Sequence, residues 1–410
     1  MTFRSISWQS LLAALAVTSF VASACTDEGE PTGGTSTSTG GATTTSATGA
    51  GGSGGSGGSG GGNSGGGGAA VSCLGDSVYT SLFTIEAADL CAVAVYTSSG
   101  AVNYQQPTWG SHGGPLLVAA GANTGEVTLS RWSAPSGSQG AMTVADTTVN
   151  AKIPKDTFVA GVAVDLGVRP GTLVSYQGAF PDTQGEVIVV DGMNSDERYD
   201  VNGLFSMAFA PSGQSGRLLF SGLSPLGEQN AAPNGLYAAD DCMGTFDPSV
   251  EPTCADSTKV ATWGDASGPV VLDTEGNLFT VMTNFSGDQE GRVFAASSIS
   301  KGAAPTDGTA LFTLPGFGQA LAAIGPEGTQ AGIVAFQPAD GTTFEALDVL
   351  QVRYTSTGGT IAVNGEPAPL LKLATPATPL ALLADPDNRL WVGVPTETGT
   401  TFVVLARKPM

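Results

Sequence analysis

A module of about 50 residues recurs along residues 108–410, and it constrains the fold more than any other feature of the chain. Each copy has an apolar run, a turn built from Gly, Asp or Asn, a run of the form Leu-x-Val, a longer turn and a third apolar run. Mostly apolar runs of four to eight residues predict strands that are covered on both faces. Six copies begin near residues 115, 159, 205, 269, 321 and 380.

The clearest match between two copies is the sequence Thr-Trp-Gly. It occurs at residues 108–110 and again at 262–264, and an apolar run beginning Gly-Pro follows at the same offset, at 114–115 and at 268–269. The two copies are 154 residues apart. A repeat at a long interval indicates an array of similar units rather than one irregular domain.

Six antiparallel modules without helical crossovers predict an all-β chain folded as a six-bladed β-propeller. The alternation of Gly-rich turns and Leu-x-Val strands resembles bacterial propeller repeats in general, over residues 108–410. Seven blades are expected if residues 73–106 form a blade of their own. Tandem β-sandwiches are the alternative architecture.

The last module stops after the apolar run at 402–405, one strand short of a complete blade. The apolar residues of 92–106 have no earlier partner strand, and we expect them to complete that blade. This pairing would cover the unpaired backbone at both ends of the ring.

The N-terminus predicts an export signal over residues 1–24. Arg4 precedes a short apolar run at 11–21, and small residues at 22–24 lead directly to Cys25. This end resembles a bacterial lipobox, in which the Cys is lipidated and becomes the mature N-terminus, although Ala22 stands where Leu is usual. Ordinary signal-peptidase cleavage, which would release a soluble protein, is the alternative.

Residues 26–70 are almost entirely Gly, Ser, Thr and Ala, so they cannot bury a core. A chain of this kind has a root-mean-square span of roughly 35–40 Å. We therefore divide the protein into a signal peptide at 1–24, a lipidated Cys with a disordered tether at 25–70, and a propeller domain at 71–410.

Cysteine usage agrees with this division. Of the five cysteines, Cys25 is assigned to the lipid, which leaves Cys73, Cys91, Cys242 and Cys254. Exported proteins rarely keep free thiols, and sequence proximity favours the pairs Cys73–Cys91 and Cys242–Cys254. Four buried reduced thiols are the alternative.

The charge balance excludes several classes of partner. The net charge is −21, so we expect no nucleic acid and no docking on an anionic membrane through a basic patch. His112 is the only histidine, and no Gly-x-Ser-x-Gly elbow, Walker loop or dinucleotide fingerprint accompanies it. We interpret His112 as a turn residue, and Trp109, Trp132, Trp263 and Trp391 as blade packing.

Two acidic clusters are the candidate metal ligands, and Ca²⁺ is the only cofactor they suggest. One contains Asp191, Asn194 and Asp196, and the other contains Asp240 and Asp241. Neither has the spacing of an EF-hand, and solvated loops between strands explain them as well.

Two functions follow from these features. The first is a non-catalytic binding or scaffold protein, tethered to the bilayer through acylated Cys25, that meets a protein or glycan ligand at the outer membrane or cell surface; the periplasmic side is the other expected location. The second is a metal-dependent hydrolase or lyase acting at the central mouth of the propeller.

We predict that Cys25 carries the lipid when the protein is isolated from its host. The tether and the odd number of cysteines favour this over secretion into the medium. Mass spectrometry of the N-terminal peptide should show an acylated Cys25, and an unmodified peptide would contradict the prediction.

Overall fold

The computed structural model describes most of the chain between residues 72 and 408. The described residues are 72–98, 108–109, 116–120, 126–144, 149–152, 157–165, 171–178, 184–191, 194–202, 204–209, 217–222, 235–240, 258–262, 269–283, 288–300, 303–304, 306–315, 317–325, 329–337, 346–377, 381–397 and 399–408. Within these ranges every regular element is a strand, apart from a 3-10 turn at Asp76–Val78. None of the described segments forms a helix that is both long and apolar enough to span a bilayer.

The strands form six sheets, which we call blades 1–6. Blade 1 comprises β3 (Thr108–Trp109), β4 (Leu116–Ala120), β5 (Glu126–Ser133), β7 (Thr143–Val144) and β8 (Val149–Lys152). Blade 2 comprises β9 (Thr157–Asp165), β10 (Gly171–Gly178), β11 (Gln184–Asp191) and β12 (Asn194–Asn202). Blade 3 comprises β13 (Leu204–Phe209), β14 (Arg217–Gly222), β15 (Gly235–Asp240) and β16 (Thr258–Thr262).

The remaining blades follow in chain order, and two of them include early strands. Blade 4 comprises β17 (Val270–Leu272), β18 (Leu278–Thr283), β19 (Asp288–Phe294) and β20 (Thr309–Pro315). Blade 5 comprises β21 (Phe317–Ile324), β22 (Gln330–Gln337), β23 (Ala346–Thr357), β24 (Thr360–Val363), β25 (Ala368–Ala377) and β1 (Phe83–Ile85). Blade 6 comprises β26 (Ala381–Ala384), β27 (Leu390–Thr396), β28 (Gly399–Arg407), β2 (Leu90–Ser98) and β6 (Gln139–Ala141).

This arrangement confirms the predicted β-propeller, with six blades among the described residues. Each of the six sequence modules supplies the first strands of one blade, and the first strands of successive blades lie side by side from β4 to β26. The described part of this range, residues 73–98, does not form a seventh blade, because its strands β1 and β2 join blades 5 and 6. The division of the whole chain at residue 71 stays a prediction.

Apolar side chains between neighbouring sheets stabilise the ring. Phe279 of blade 4 and Tyr354 of blade 5 are fully buried in one shared cluster. Trp132 of blade 1 and Trp391 of blade 6 are buried in another, which confirms their predicted packing role and joins the last blade to the first. A sheet of a few strands cannot bury both faces alone, so each blade needs its neighbours.

The predicted pairing of an early strand with the C-terminal module is also confirmed. Strand β2 pairs antiparallel with β28, and Val95 lies opposite Val403. Strand β2 thereby becomes the fourth strand of blade 6, which the C-terminal module lacks. The strand runs over Leu90–Ser98, so it begins slightly earlier than the sequence indicates.

The segment before β2 is fastened by the predicted disulfide between Cys73 and Cys91. Their Cα atoms are 5.6 Å apart, and the bond encloses β1 and the 3-10 turn. Inside this loop Phe83 is completely buried against blade 5 and blade 6. The second predicted pair, Cys242 and Cys254, lies outside the described residues.

We predict that Phe83→Ala lowers the free energy of unfolding by about 3–5 kcal/mol, because it leaves a cavity between two blades. Thr84→Ala, at the neighbouring exposed position, is the matched control and should change stability by less than about 0.5 kcal/mol. Urea unfolding measures both variants. Equal effects would show that β1 does not seal the junction between blades 5 and 6.

Candidate functional site

An open depression lies where blades 4, 5 and 6 meet, and its volume is about 910 Å³. The first and third strands of each of these blades end at this side of the ring, which we call the depression face. The residues that line the depression come from the ends of those strands and the turns that follow them. They are Thr274, Glu275, Asn277, Ala296, Ser297, Gly325, Ser356, Thr357, Gly358, Gly359 and Asn388.

The turn after β17 is fixed by the carboxylate of Asp273. One of its oxygens accepts the backbone N–H of Glu275 at 2.9 Å and that of Asn277 at 2.8 Å. The N–H of Gly276 donates to the Asp273 carbonyl, and Gly276 has a φ of +78° that suits glycine. An Asp in this position closes the turn through its own side chain, so the turn presents Thr274 and Glu275 in one conformation.

The turn after β26 is built in the same way around Asp385. Its carboxylate accepts the N–H of Arg389 at 2.8 Å and the indole N–H of Trp391 at 2.9 Å. Asn388 takes the place of Gly276 with a φ of +61°, a conformation that Asn tolerates better than most residues. The chain therefore uses one turn design at equivalent points of two blades.

Side-chain hydrogen bonds join the turns of the three blades. Asn388 of blade 6 accepts the N–H of Gly325 at 2.9 Å and donates to the Gly325 carbonyl at 2.6 Å. Thr274 of blade 4 donates to the same carbonyl at 3.3 Å and accepts from the amide of Gln330 at 2.8 Å. The floor of the depression is consequently a connected structure that spans blades 4–6.

A buried ionisable pair lies beneath this floor. The hydroxyl of Tyr354 in blade 5 donates to Asp273 in blade 4 at 2.9 Å. Burial raises the pKa of Asp273, while hydrogen bonds from Asn277, Tyr354 and the N–H of Glu275 oppose that shift. Burial, followed by the nearby Asp273 charge, raises the pKa of Tyr354. Because both groups are hydrogen-bonded and covered, we assign them to blade packing.

The β23–β24 hairpin forms one wall of the depression. Its turn residues Gly358 and Gly359 have φ values of +57° and +82°, as a two-residue hairpin turn requires. The hairpin tip approaches blade 4 so closely that a Cβ on Gly359 would lie 2.8 Å from the hydroxyl oxygen of Ser297. Exposed Thr357 and Ser297 thus face the same space from two blades.

Among the described lining residues, Glu275 alone has a titratable side chain. The other polar groups are hydroxyls, amides and glycine backbone. A nucleophile and a base within reach of one another are the usual requirement for covalent catalysis. The described lining can form hydrogen bonds with a ligand.

The acidic candidates from the sequence lie elsewhere. Asp191 and Asn194 are partners in the backbone register of β11 and β12, and Asp196 follows on β12, the outermost strand of blade 2. Asp240 ends β15 in blade 3, and Asp241 lies outside the described residues. The described residues of the two acidic clusters therefore lie in different blades, and none of them lies on the first strand of its blade, which is β9 in blade 2 and β13 in blade 3. In the described part of the chain, no three acidic, His or Cys residues cluster as metal ligands.

Other predicted positions have mixed outcomes. Trp109 lies in β3, next to the first strand of blade 1. Trp263 and His112 lie outside the described residues. The sequence did not predict Ser297 or Thr357 as residues of a site, because only the folded chain brings them together. The Gly-Gly pair after Thr357 was the one local signal, and it indicated a tight hairpin.

No family model matches the chain, and no curated protein matches it. Solved structures of low similarity include hydrazine synthase from Kuenenia stuttgartiensis, at 13% identity over 72% of this chain and 74% of that one, with a TM-score of 0.44. The PQQ domain of pyranose dehydrogenase from Coprinopsis cinerea matches at 12% identity over 79% of this chain and 97% of that one, with a TM-score of 0.49. Soluble aldose sugar dehydrogenase from Escherichia coli matches at 10% identity over 78% of this chain and 99% of that one, with a TM-score of 0.43. At these values the likeness carries no argument about activity.

We predict that Tyr354→Phe destabilises the protein by about 1.5–3 kcal/mol near neutral pH, because it removes a hydrogen bond to a carboxylate. The pKa of Asp273 is raised above 3.8, so its charged form, which the Tyr354 hydroxyl stabilises, appears only as pH rises through that higher value. The penalty should therefore shrink when unfolding is measured below pH 3.8. Tyr79→Phe, which removes a bond to exposed Asp76, is the control. A penalty that does not depend on pH would contradict this account.

Proposed function

We propose that this protein is an exported, lipid-anchored β-propeller that binds a carbohydrate in the depression and does not transform it. The observation that carries the proposal is the chemistry of the lining, in which hydroxyls and amides surround a single carboxylate. The site is concave and has a few polar groups held in fixed positions, as binding sites usually have.

The charge of the site favours a neutral ligand over an anionic one. The carboxylate of Glu275 and the net charge of −21 both repel anions, and the described lining contains no basic side chain to offset them. Its apolar groups are small, since Ala296 is the largest apolar residue, so a lipid or an aromatic ligand would bury little surface there. A molecule with many hydroxyl groups fits the remaining chemistry.

The lining residues divide into two sets. Asn388 and Thr274 hold Gly325 through the hydrogen bonds described above, so they shape the floor. Ser297 and Thr357 are exposed, and their hydroxyls both donate and accept. With the carboxylate of Glu275 as a strong acceptor, these groups match the alternating donors and acceptors of a sugar ring.

The location is proposed on the sequence alone. Cys25 and the tether at 26–70 would hold the domain at a bacterial outer membrane or cell surface, where polysaccharides are abundant. A flexible tether lets the domain search its surroundings while it stays attached, which raises the effective concentration of any ligand fixed nearby.

The test is a direct binding measurement on the purified protein, with an array of immobilised oligosaccharides followed by calorimetry on those that bind. We predict that Glu275→Gln weakens binding about tenfold or more, since a hydrogen bond to a charged group contributes about 1.5–3 kcal/mol. Glu366→Gln, an exposed position away from the depression, is the matched control.

Four results would overturn the proposal. The first is the lack of binding to any oligosaccharide by a folded protein, and the second is equal binding by the Glu275→Gln variant. The third is cleavage or oxidation of a bound oligosaccharide, measured by chromatography of the same samples, which would favour the enzyme alternative. The fourth is binding of a peptide in competition with the sugar, which would point to a protein ligand instead.

A further inference from the structure

We propose that the Cys73–Cys91 disulfide passes tension from the chain upstream of Ser72 directly into strand β2, so that residues 74–90 stay folded while the domain is pulled. Strand β2 is the strand that closes the ring, and the chain enters the domain just before it. The inference does not require a lipid on Cys25, because it holds for any attachment upstream of Ser72.

Residues 74–90 are held to the rest of the domain by few backbone contacts. Strand β1 pairs with β25 over three residue pairs, from Phe83–Leu373 to Ile85–Leu371. Additional bonds tie the ends of the segment, including the N–H of Leu74 to the carbonyl of Ala92 at 2.8 Å. Short ladders of this kind open at a lower cost than the central strands of a sheet.

The same segment contains side chains that the fold needs in place. Tyr79, Phe83, Ala87 and Leu90 are buried in the cluster that fills the junction between blades 5 and 6. If tension reached the segment first, those side chains would be withdrawn and the junction would be exposed. This apolar cluster lies where the chain enters the domain, so tension would disrupt it first unless the tension bypasses residues 74–90.

The disulfide supplies that protection by its position. It joins Cys73, the second described residue, to Cys91, the second residue of β2. A pull on Ser72 follows the covalent path through the two sulfurs, and residues 74–90 become a closed loop that cannot lengthen. The tension then acts on β2, which pairs with β28 over eight residue pairs and with β6 over three more.

A ligand in the depression would complete this path. Blade 6 contributes Asn388 to the depression and also contains β2 and β28. Hydrogen bonds between Asn388, Gly325 and Thr274 connect it to blades 5 and 4. Tension between a bound ligand and the anchor would thus be carried by the hydrogen bonds that join blades 4–6, then by strand β2, and then by the Cys73–Cys91 disulfide.

The experiment is single-molecule force spectroscopy on the full chain. One handle is attached to the tether and the other to Ser297→Cys on the rim of the depression. The Cys73→Ser/Cys91→Ser variant is compared with the parent, and Cys242→Ser/Cys254→Ser is the matched control. The freed segment should lengthen by about 55 Å, from 18 residue steps of about 3.4 Å less the 5.6 Å that already separates the two Cα atoms.

The expected result is an early extension of this length in the Cys73→Ser/Cys91→Ser variant that is missing in the parent and in the control. Reductant added to a folded parent molecule already held in the instrument should produce the same step, so the result does not depend on how well the variant folds. The step occurring in the oxidised parent would overturn the proposal. So would its absence after reduction, or complete unfolding in one step, since the segment would then not be separable from the ring.

Discussion

The pairing of β2 with β28 is the interaction on which the rest of the molecule depends. The C-terminal module supplies only β26, β27 and β28 to blade 6, and an open blade would leave the backbone of β28 exposed. Strand β2 covers that edge, and Val403 and Leu405 are buried beside it. Because blade 6 contributes Asn388 to the floor of the depression, the first strands of the domain also determine whether the candidate site is complete.

The strands of the blades were predictable because their pattern is local. Apolar runs separated by Gly, Asp or Asn identify the three strands predicted for each module, and the missing strand of the last module indicated what the early strand must do. The outer strand β12 was missed, because its residues Asn194–Asn202 are mostly polar and were interpreted as a solvated loop. The hairpin wall was not predictable. The sequence around Gly358 and Gly359 indicates a tight turn, but only the packing of blade 5 on blade 4 brings that turn close to Ser297.

The acidic residues also make contacts between blades that the sequence does not predict. The sequence predicts a turn built from Gly, Asp or Asn after the first apolar run of each module, and Asp273 and Asp385 close two such turns. What the sequence could not show is that Asp273 also receives the hydroxyl of Tyr354, 81 residues later, and so joins two blades. The described acids among the metal candidates lie on blades 2 and 3, because the density of charge along a chain does not determine which strands become neighbours. Their role as metal ligands stays a prediction.

The strand order of blade 6 has a consequence for how the domain meets its surroundings. Strand β28 ends at the depression face, and the antiparallel strand β2 therefore begins there, with Leu90 opposite Arg407. Cys91 is next to Leu90, so the polypeptide joins the domain on the side of the ring where the depression opens. Whatever lies upstream of Ser72 and whatever enters the depression approach the same face.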